Sequence, residues 1–375
     1  MRFSGRLPGA FEPNRIHRAV EAKRRAGARL LDLTETNPTR AGLPVADAWG
    51  GLVEGARAPY EPSAAGAATA RQAIGRYYAE RGLGVSADRI VLTASTSEAY
   101  AHLFRLLADP GDEILVPEPS YPLFAPLAAL ESVELAPYAL RYEGSRWRVD
   151  LDTLRANSRT RAVIVVHPNN PTGSLLAADE VEALESLGLP IISDEVFGDF
   201  AFPAAPRHPS FAASDRGLAF TLAGLSKTCG LPQAKLAWIV CAGAPHEVAR
   251  AREGLEWIGD AFLSVAPAMQ AASPGLLAAR TPFLAATRAR LTANVAALDA
   301  VGLDRLAWEG GWSAVIRAPA SRTDEEWTLA ALERDVLVQP GHFYDFADER
   351  HLVVSLLAEP GVFAEGARRL GELLV

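Results

Sequence analysis

The stretch RAVIVVHPNNPTG, residues 161–173, is the segment that decides the fold of this chain. Its first half is a continuous run of apolar and β-branched residues, which is typical of a strand covered on both faces in a parallel sheet. Its second half is rich in proline and asparagine, which favours a tight loop at the end of that strand. We therefore predict a buried strand at Arg161–His167. Similar runs predict further strands at Arg89–Thr93, Glu113–Pro117, Pro190–Ser193, Leu218–Ala223 and Ala237–Cys241.

Helical patterns lie between these strands, for example at Ser97–Leu107 and Ala178–Leu187. Strands that alternate with helices predict an α/β domain, because a helix is the usual connection between parallel strands. The expected architecture is a mainly parallel sheet of the seven-stranded type with helices on both faces. We place this large domain at residues 45–265.

The two ends of the chain have a different pattern. Residues 13–28 predict a helix, followed by a short strand at 30–33, and the C-terminal third contains strand-like segments at 310–318 and 351–357. These segments predict a smaller α+β domain. It would combine residues 1–44 with residues 266–375.

Composition and charge exclude several classes of function. The 375 residues carry a formal net charge of −8 at pH 7, and such a surface repels nucleic-acid phosphates. The two cysteines, Cys229 and Cys241, form neither a disulfide framework nor a zinc motif, and no histidine pair has metal-ligand spacing. No signal peptide or membrane-spanning apolar run is visible, so we expect a soluble, cytoplasmic protein without a metal, nucleic-acid or membrane partner.

Polar clusters follow predicted strands at HPNNPTG (167–173), SDEVF (193–197) and GLSKTCGLP (224–232). Because ligands of open parallel sheets bind beyond the carboxyl ends of the strands, we expect these loops to converge. A lysine there can form an imine with a carbonyl group, and a buried carboxylate can keep a heteroaromatic nitrogen protonated. A side-chain amide can donate to a phenolic oxygen. Pyridoxal phosphate needs all of these groups.

The segments NNPTG, DEVF and SKTCGLPQAKLAW, in this order, resemble the signature set of class I/II, fold-type I, pyridoxal-phosphate-dependent aminotransferases. The resemblance implies that Lys227 holds the cofactor as a Schiff base and moves the proton of the reaction. It also implies that Asp194 pairs with the pyridine nitrogen and that Asn170 donates to the phenolic oxygen. Lys235 stands where the family usually has an arginine that binds the cofactor phosphate. A lysine keeps the charge of that arginine and loses its bidentate geometry.

Other segments extend the resemblance. LTASTSEAY resembles the family's phosphate-binding turn at a helix N-terminus, and EPSYPLF resembles the segment whose aromatic ring stacks on the cofactor. APYEPSAAG contains Tyr60, which resembles the tyrosine that reaches the phosphate in the neighbouring subunit. It implies a homodimer with shared active sites. The cofactor-binding residues added in this way are Ser95, Thr96, Ser97, Ser226, Tyr121 and Tyr60.

Two positions depart from the family pattern. Phe197 replaces a tyrosine whose hydroxyl usually bonds the phenolic oxygen, and Val353 stands where an arginine usually binds the substrate α-carboxylate. If Val353 is aligned correctly, another group must take the carboxylate. Arg40 is our candidate for that role, as is Arg317, whereas Arg350 is close in sequence and expected on the rim.

The residues also have ordinary structural interpretations. Asp194 could cap a helix, Asn170 could serve a turn, residues 95–97 could only begin a helix, and Lys235 could be a surface charge. The occurrence of every motif in one order favours the cofactor roles. The expected reaction is reversible transfer of an amino group between an amino acid and a 2-oxo acid. A lyase or cyclase using the same cofactor is the alternative, and a non-enzymatic cofactor-binding regulator is a remote one.

Overall fold

The computed structural model describes residues 4–8, 12–45, 47–204 and 206–374. Its strands are β1 (Leu31–Asp32), β2 (Ile90–Thr93), β3 (Glu113–Glu118), β4 (Glu134–Tyr142), β5 (Trp147–Val149), β6 (Thr160–Val166), β7 (Ile191–Asp194), β8 (Ala219–Gly224), β9 (Ala237–Ala242), β10 (Ser313–Arg317), β11 (Val336–Leu337), β12 (Gln339–Pro340) and β13 (His351–Ser355). Its α-helices are α1 (Arg15–Arg25), α2 (Gly50–Arg57), α3 (Ala68–Glu80), α4 (Thr96–Leu107), α5 (Phe124–Glu131), α6 (Ala178–Ser186), α7 (Leu225–Thr228), α8 (Pro245–Asp260), α9 (Pro267–Ala278), α10 (Thr281–Ala300), α11 (Asp324–Glu333) and α12 (Pro360–Leu374).

Eight strands form the large sheet in the order β2-β9-β8-β7-β6-β3-β4-β5. The central strands β8, β7, β6, β3 and β4 are parallel, whereas β9 is antiparallel to both of its neighbours. The prediction of a mainly parallel sheet is therefore confirmed. Each of the six predicted strands begins and ends within one residue of an observed strand. The sheet has eight strands and not the seven expected, because the short strand β5 adds an antiparallel edge that the sequence did not predict.

The apolar run of β6 is explained by packing on both faces of the sheet. Ala162, Ile164 and Val166 belong to one hydrophobic core, and Val163 and Val165 belong to another. Successive residues of a strand point to opposite faces, so the part of β6 that lies between the two cores, residues 162–166, has only apolar side chains. This burial makes the strand recognisable in the sequence as a continuous apolar segment.

A smaller three-stranded antiparallel sheet, in the order β10-β13-β12, lies in the C-terminal part of the chain. Near it, β1 pairs in parallel with β11, which brings the N-terminal segment to the C-terminal one. One core unites Leu33 with Phe283, Leu352 and Phe363. Residues near both ends of the chain therefore share one core.

The division at residue 265 stays a prediction. Helix α9, which follows residue 265, packs against α2 and α3 of the larger unit, and its residues Leu276 and Leu277 share a core with Ile74. That packing favours a boundary beyond α9. In the part of the chain that the structure describes, no helix is long and apolar enough to cross a membrane.

Candidate active site

A cavity of about 390 Å³ lies at the carboxyl ends of the parallel strands. Val166 at the end of β6, Asp194 at the end of β7 and Gly224 at the end of β8 all line it. Strand β2 runs in the same direction as β8 because β9 is antiparallel to both, so β2 also ends there. The cavity brings together nine of the residues named from the sequence: Lys227, Asp194, Asn170, Lys235, Ser95, Thr96, Ser97, Tyr121 and Ser226.

Lys227 lies on the short helix α7, directly after β8. Its Nζ lies 4.8 Å from the ring centre of Trp312 and 5.6 Å from that of Phe197. Burial lowers the pKa of Lys227 from 10.5 to about 8, although the nearby Asp194 acts in the opposite direction. The amine is therefore available in its neutral, nucleophilic form at mildly alkaline pH.

Asp194 presents its carboxylate to the cavity floor while two donors fix its orientation. Its Oδ2 accepts a hydrogen bond of 3.1 Å from the Tyr100 hydroxyl, and its Oδ1 accepts one of 3.1 Å from the Val196 N–H. Burial raises the pKa of Asp194 to about 6, with these hydrogen bonds and Lys227 lowering it. A buried carboxylate in this state is stabilised by any cation placed against it.

The neighbouring carboxylate, Glu195, has a structural role. Its oxygens accept hydrogen bonds from the Ser210 hydroxyl at 2.6 Å, the Phe211 N–H at 2.8 Å and the Ser193 hydroxyl at 3.0 Å. These bonds anchor the segment around Ser210 beneath the sheet. Of the Asp-Glu pair, only Asp194 lines the cavity.

The adjacent asparagines, Asn169 and Asn170, also have different roles, one structural and one at the cavity. Asn169 is buried, and its Oδ1 accepts from the Thr172 hydroxyl at 2.9 Å and from the Thr172 N–H at 3.3 Å, which closes the turn. Asn170 lines the cavity, and its Oδ1 accepts a hydrogen bond of 3.2 Å from the Ser313 hydroxyl. This bond orients the amide so that its N–H₂ group remains for a ligand.

The N-terminus of α4 forms another wall of the cavity. Ser95 caps the helix, because its Oγ accepts a hydrogen bond of 3.1 Å from the Glu98 N–H. The Glu98 carboxylate in turn accepts from the Ala94 N–H at 2.6 Å. The N–H groups of a first helical turn have no acceptor within the helix and favour an anion. Helix capping and anion binding are therefore compatible at residues 95–97.

Lys235 lies at the rim of the cavity in a left-handed backbone conformation, with a φ of 48°. It follows a short 3₁₀ turn at Pro232–Ala234 and precedes β9. The side chain is exposed to solvent. An exposed ammonium group on a flexible chain can approach a phosphate as a point charge.

Tyr60 and the candidate arginines lie outside this cavity. Tyr60 is 66% exposed and borders a separate surface depression near Leu263. The side chain of Arg40 is 75% exposed and lies 3.9 Å from Glu35. Arg317 lies 3.7 Å from Asp304, and Arg350 is exposed.

Val353 lies on the face of the small sheet that is turned toward the cavity. It pairs with Val315 on one side and with Gln339 on the other, and its side chain is 1% exposed. Ser313 and Gln339 share that face and line the cavity. Lys227 and Lys235 are the only cationic side chains among the described residues that line the cavity.

The sequence did not reveal several residues of the site. Tyr100 and the small-domain residues Thr36, Trp312, Ser313, Gln339 and Tyr344 belong to this set. The nearest sequence feature to these residues is the pair Gly310 and Gly311, which directly precedes Trp312, just before the start of β10. His167, beside the NNPTG loop, has a structural role. Its Nδ1 accepts from the Leu176 N–H at 3.3 Å, so its Nε2–H donates to the His208 carbonyl at 2.8 Å.

Comparison with known proteins defines the family. The model of the aminotransferase class I and II family matches residues 54–359, so the chain belongs to this family. It is 30% identical over 268 residues to a glutamate-pyruvate aminotransferase of Haemophilus influenzae, an alignment that covers 68% of this chain and 65% of the relative. It is 34% identical over 197 residues to the Escherichia coli K12 enzyme of the same name, which covers 51% of this chain and 48% of that relative.

Solved structures agree with the fold. An alanine aminotransferase from Pyrococcus furiosus superposes with a TM-score of 0.86 at 22% identity, covering 100% of this chain and 99% of the other. An aminotransferase from Escherichia coli superposes with a TM-score of 0.84 at 24% identity, covering 100% and 98%. At these identities the likeness supports the fold.

Proposed function

We propose that this protein is a pyridoxal-phosphate-dependent aminotransferase that moves an amino group between an amino acid and a 2-oxo acid. The observation that carries the proposal is the placement of Lys227, Asp194 and Asn170 in one cavity. The alignments reach only about half to two thirds of the length of the curated relatives. Their activity in amino transfer from glutamate to pyruvate therefore supports the reaction class and suggests its first substrates to test.

The residues of the cavity fit pyridoxal phosphate. Asp194 is a buried carboxylate with a raised pKa, which suits the protonated nitrogen of a pyridine ring. Asn170 has a free amide donor for the phenolic oxygen, and Tyr121 offers an aromatic ring on the cavity wall. The first turn of α4 and the side chains of Ser226 and Lys235 offer donors and charge for a phosphate.

Bound pyridoxal phosphate supplies an aldehyde for imine formation and an electron-withdrawing ring. Lys227 supplies a neutral amine that joins the cofactor and later takes a proton from the substrate α-carbon. Its lowered pKa of about 8 suits this task, because a general base works best with a pKa near the working pH. Phe197 and Trp312, both buried, exclude water from the same side of the amine.

A lyase or cyclase is the second candidate, favoured by one observation. Arginine is absent from the described residues that line the cavity, so the usual carboxylate clamp of the family is missing. An enzyme that binds the substrate carboxylate in a different way can also catalyse a different reaction. The cytoplasmic location, and the absence of nucleic-acid and membrane partners, stay predictions from the sequence.

A half-reaction test separates these functions. The purified protein is loaded with pyridoxal phosphate and mixed with L-alanine, L-glutamate, L-aspartate or L-tyrosine, while the visible absorbance of the cofactor is followed. Amino transfer converts the absorbance stoichiometrically and releases the matching 2-oxo acid without ammonia. A lyase instead releases ammonia and pyruvate from O-acetyl-L-serine. If no donor changes the absorbance, the proposed function is wrong.

We further propose a homodimer in which Tyr60 completes the cavity of the partner subunit. Large exposed apolar side chains support this proposal, since a contiguous patch of them often marks an interface between proteins. Tyr60 is 66% exposed, and Val53, Trp257 and Phe262 are 54%, 81% and 55% exposed. Sedimentation of the purified protein tests the dimer itself.

A subunit-mixing experiment tests the role of Tyr60. Tyr60→Ala and Lys227→Ala should each be nearly inactive alone, because each homodimer lacks one required group in both sites. Mixed after reversible dissociation, they should recover about a quarter of the wild-type rate, since half of the dimers have one intact site. Mixing Lys227→Ala with a second Lys227 variant is the control. Recovery no greater than in that control would contradict a shared site.

Replacing Phe197 with tyrosine should restore a hydrogen bond that the family usually has. Phe197 is 7% exposed, and its ring centre lies 5.6 Å from Lys227 Nζ. A hydroxyl donating to the phenolic oxygen stabilises the deprotonated state, so the Lys227 nitrogen of the loaded protein should lose its proton about one pH unit lower. A spectral pH titration measures this shift. Phe262→Tyr, on the surface, is the matched control. An unchanged or raised pKa in Phe197→Tyr would contradict the prediction.

A further inference from the structure

Both proposed substrates carry a carboxylate, and the cavity must hold it. The two cationic side chains of the described cavity wall, Lys227 and Lys235, both lie on the loop between β8 and β9. The opposite wall comes from the small domain and from the N-terminal segment. Its polar side chains are the neutral groups of Thr36, Trp312, Ser313, Gln339 and Tyr344. A carboxylate on this side meets hydrogen-bond donors without a formal charge.

On this wall, Gln339 has a side chain that is held in place by a hydrogen bond. It lies on β12, directly opposite Val353 of β13. The hydroxyl of Tyr344 donates to Gln339 Oε1, so the oxygen of the amide is already used. The N–H₂ group of the amide is left with two donors, which is the arrangement that a carboxylate requires.

Tyr344 is itself firmly anchored. Its side chain is 7% exposed, and its backbone carbonyl accepts a hydrogen bond of 3.0 Å from the Ser120 N–H. Ser120 precedes Tyr121, which lines the same cavity. The small domain is therefore attached to the large domain next to the amide, and Gln339 needs little reordering when a ligand binds.

We propose that Gln339, oriented by Tyr344, binds the substrate carboxylate through its side-chain N–H₂ group. This inference rests on the proposed amino-transfer function and assigns a residue to its substrate selectivity. A hydrogen bond from a neutral amide to a carboxylate is weaker and less selective than an arginine clamp. The site therefore distinguishes a carboxylate from a carboxamide only modestly. Gln339 is the specificity-determining residue, and Tyr344 is a positioning residue.

The experiment compares L-alanine with L-alaninamide as amino donors for the loaded protein. Gln339→Leu should raise KM for L-alanine about tenfold to a hundredfold with little change in kcat, because the bond is made before and during the reaction. Gln339→Arg should lower KM for L-alanine and strengthen the preference for the acid over the amide. Tyr344→Phe should raise KM for L-alanine by less than Gln339→Leu and leave kcat unchanged.

Controls separate this inference from the function on which it rests. Gln72→Leu, on the exposed face of α3, should behave like the wild type. Cofactor affinity, measured by fluorescence titration, should stay unchanged in all Gln339 variants, which shows that the fold and the cofactor site are intact. A wild-type KM for L-alanine in Gln339→Leu would overturn the inference while the proposed function stands. Absence of amino transfer from every donor in the wild type would overturn both.

Discussion

Lys227→Ala should reduce amino transfer by about 10⁴-fold or more, because one side chain is both nucleophile and general base. Its Nζ is placed beneath Trp312 and Phe197, and burial keeps the pKa of the amine at about 8. Among the described residues of the cavity wall, the other lysine is Lys235. It is exposed at the rim and cannot take the place of Lys227. The rate is measured with the best amino donor under saturating cofactor.

Lys235→Ala is the matched comparison for this variant. It removes the other ammonium group of the cavity, and we expect it to weaken cofactor binding while the covalent link to Lys227 persists. Borohydride reduction followed by peptide mass measurement distinguishes the two variants, since only Lys227→Ala should lose the reducible link. Added methylamine should restore part of the rate to Lys227→Ala by supplying a base. A Lys227→Ala rate near that of the wild type would contradict the assignment.

The residues of the site that were predicted from the sequence lie in short segments that follow predicted strands. Asn170, Asp194 and Lys227 each stand within four residues of the end of a buried strand, and buried strands are visible as continuous apolar runs. The parallel arrangement then places all three ends at one edge of the sheet. Local sequence and a general rule of sheet topology were sufficient for these residues.

The remaining residues of the site depend on contacts between distant segments. Tyr100 reaches Asp194 across 94 positions of the chain, and Ser313 reaches Asn170 across 143. No local pattern specifies such pairs. Strand β12 has only two residues, so it is too short for a period to be recognised, although it places Gln339 in the cavity. Strand β4 was also not predicted, because it lies next to the edge of the sheet, is partly exposed and mixes polar and apolar residues.

The roles of the adjacent carboxylates also could not be predicted from the sequence. Asp194 and Glu195 have the same chemistry, and alternation along a strand places them on opposite sides without saying which side is the cavity. In the structure, the Ser210 hydroxyl and the Phe211 N–H donate hydrogen bonds to the Glu195 carboxylate. Partners 15 and 16 positions away thus determine which carboxylate remains free for chemistry.

Asp194→Asn should lower amino transfer and raise the stability of the cofactor-free protein. Removing one partner of a buried ion pair costs about 3–5 kcal/mol, so the rate should fall by about 10²- to 10⁴-fold. The folded-state pKa of Asp194 is about 6, above its ordinary 3.8. A raised folded pKa gives a stability contribution that is present below pH 3.8 and lost as the pH rises through 6. The ionised carboxylate therefore destabilises the cofactor-free fold at pH 8.

Denaturant unfolding of the cofactor-free protein at pH 5 and pH 8 measures this effect. Asp194→Asn should be more stable than the wild type by up to about 3 kcal/mol at pH 8, and the gain should shrink toward pH 5. Glu195→Gln is the matched contrast. Burial raises the pKa of Glu195 as well, so its loss should also change stability with pH. Its carboxylate accepts from Ser210, Phe211 and Ser193 and does not line the cavity, so the rate per folded molecule should stay largely intact. A gain in stability at pH 8 together with a loss of rate in Asp194→Asn would mark Asp194 as a residue kept for chemistry at the expense of the fold, whereas a loss of stability with an unchanged rate would make it a structural residue.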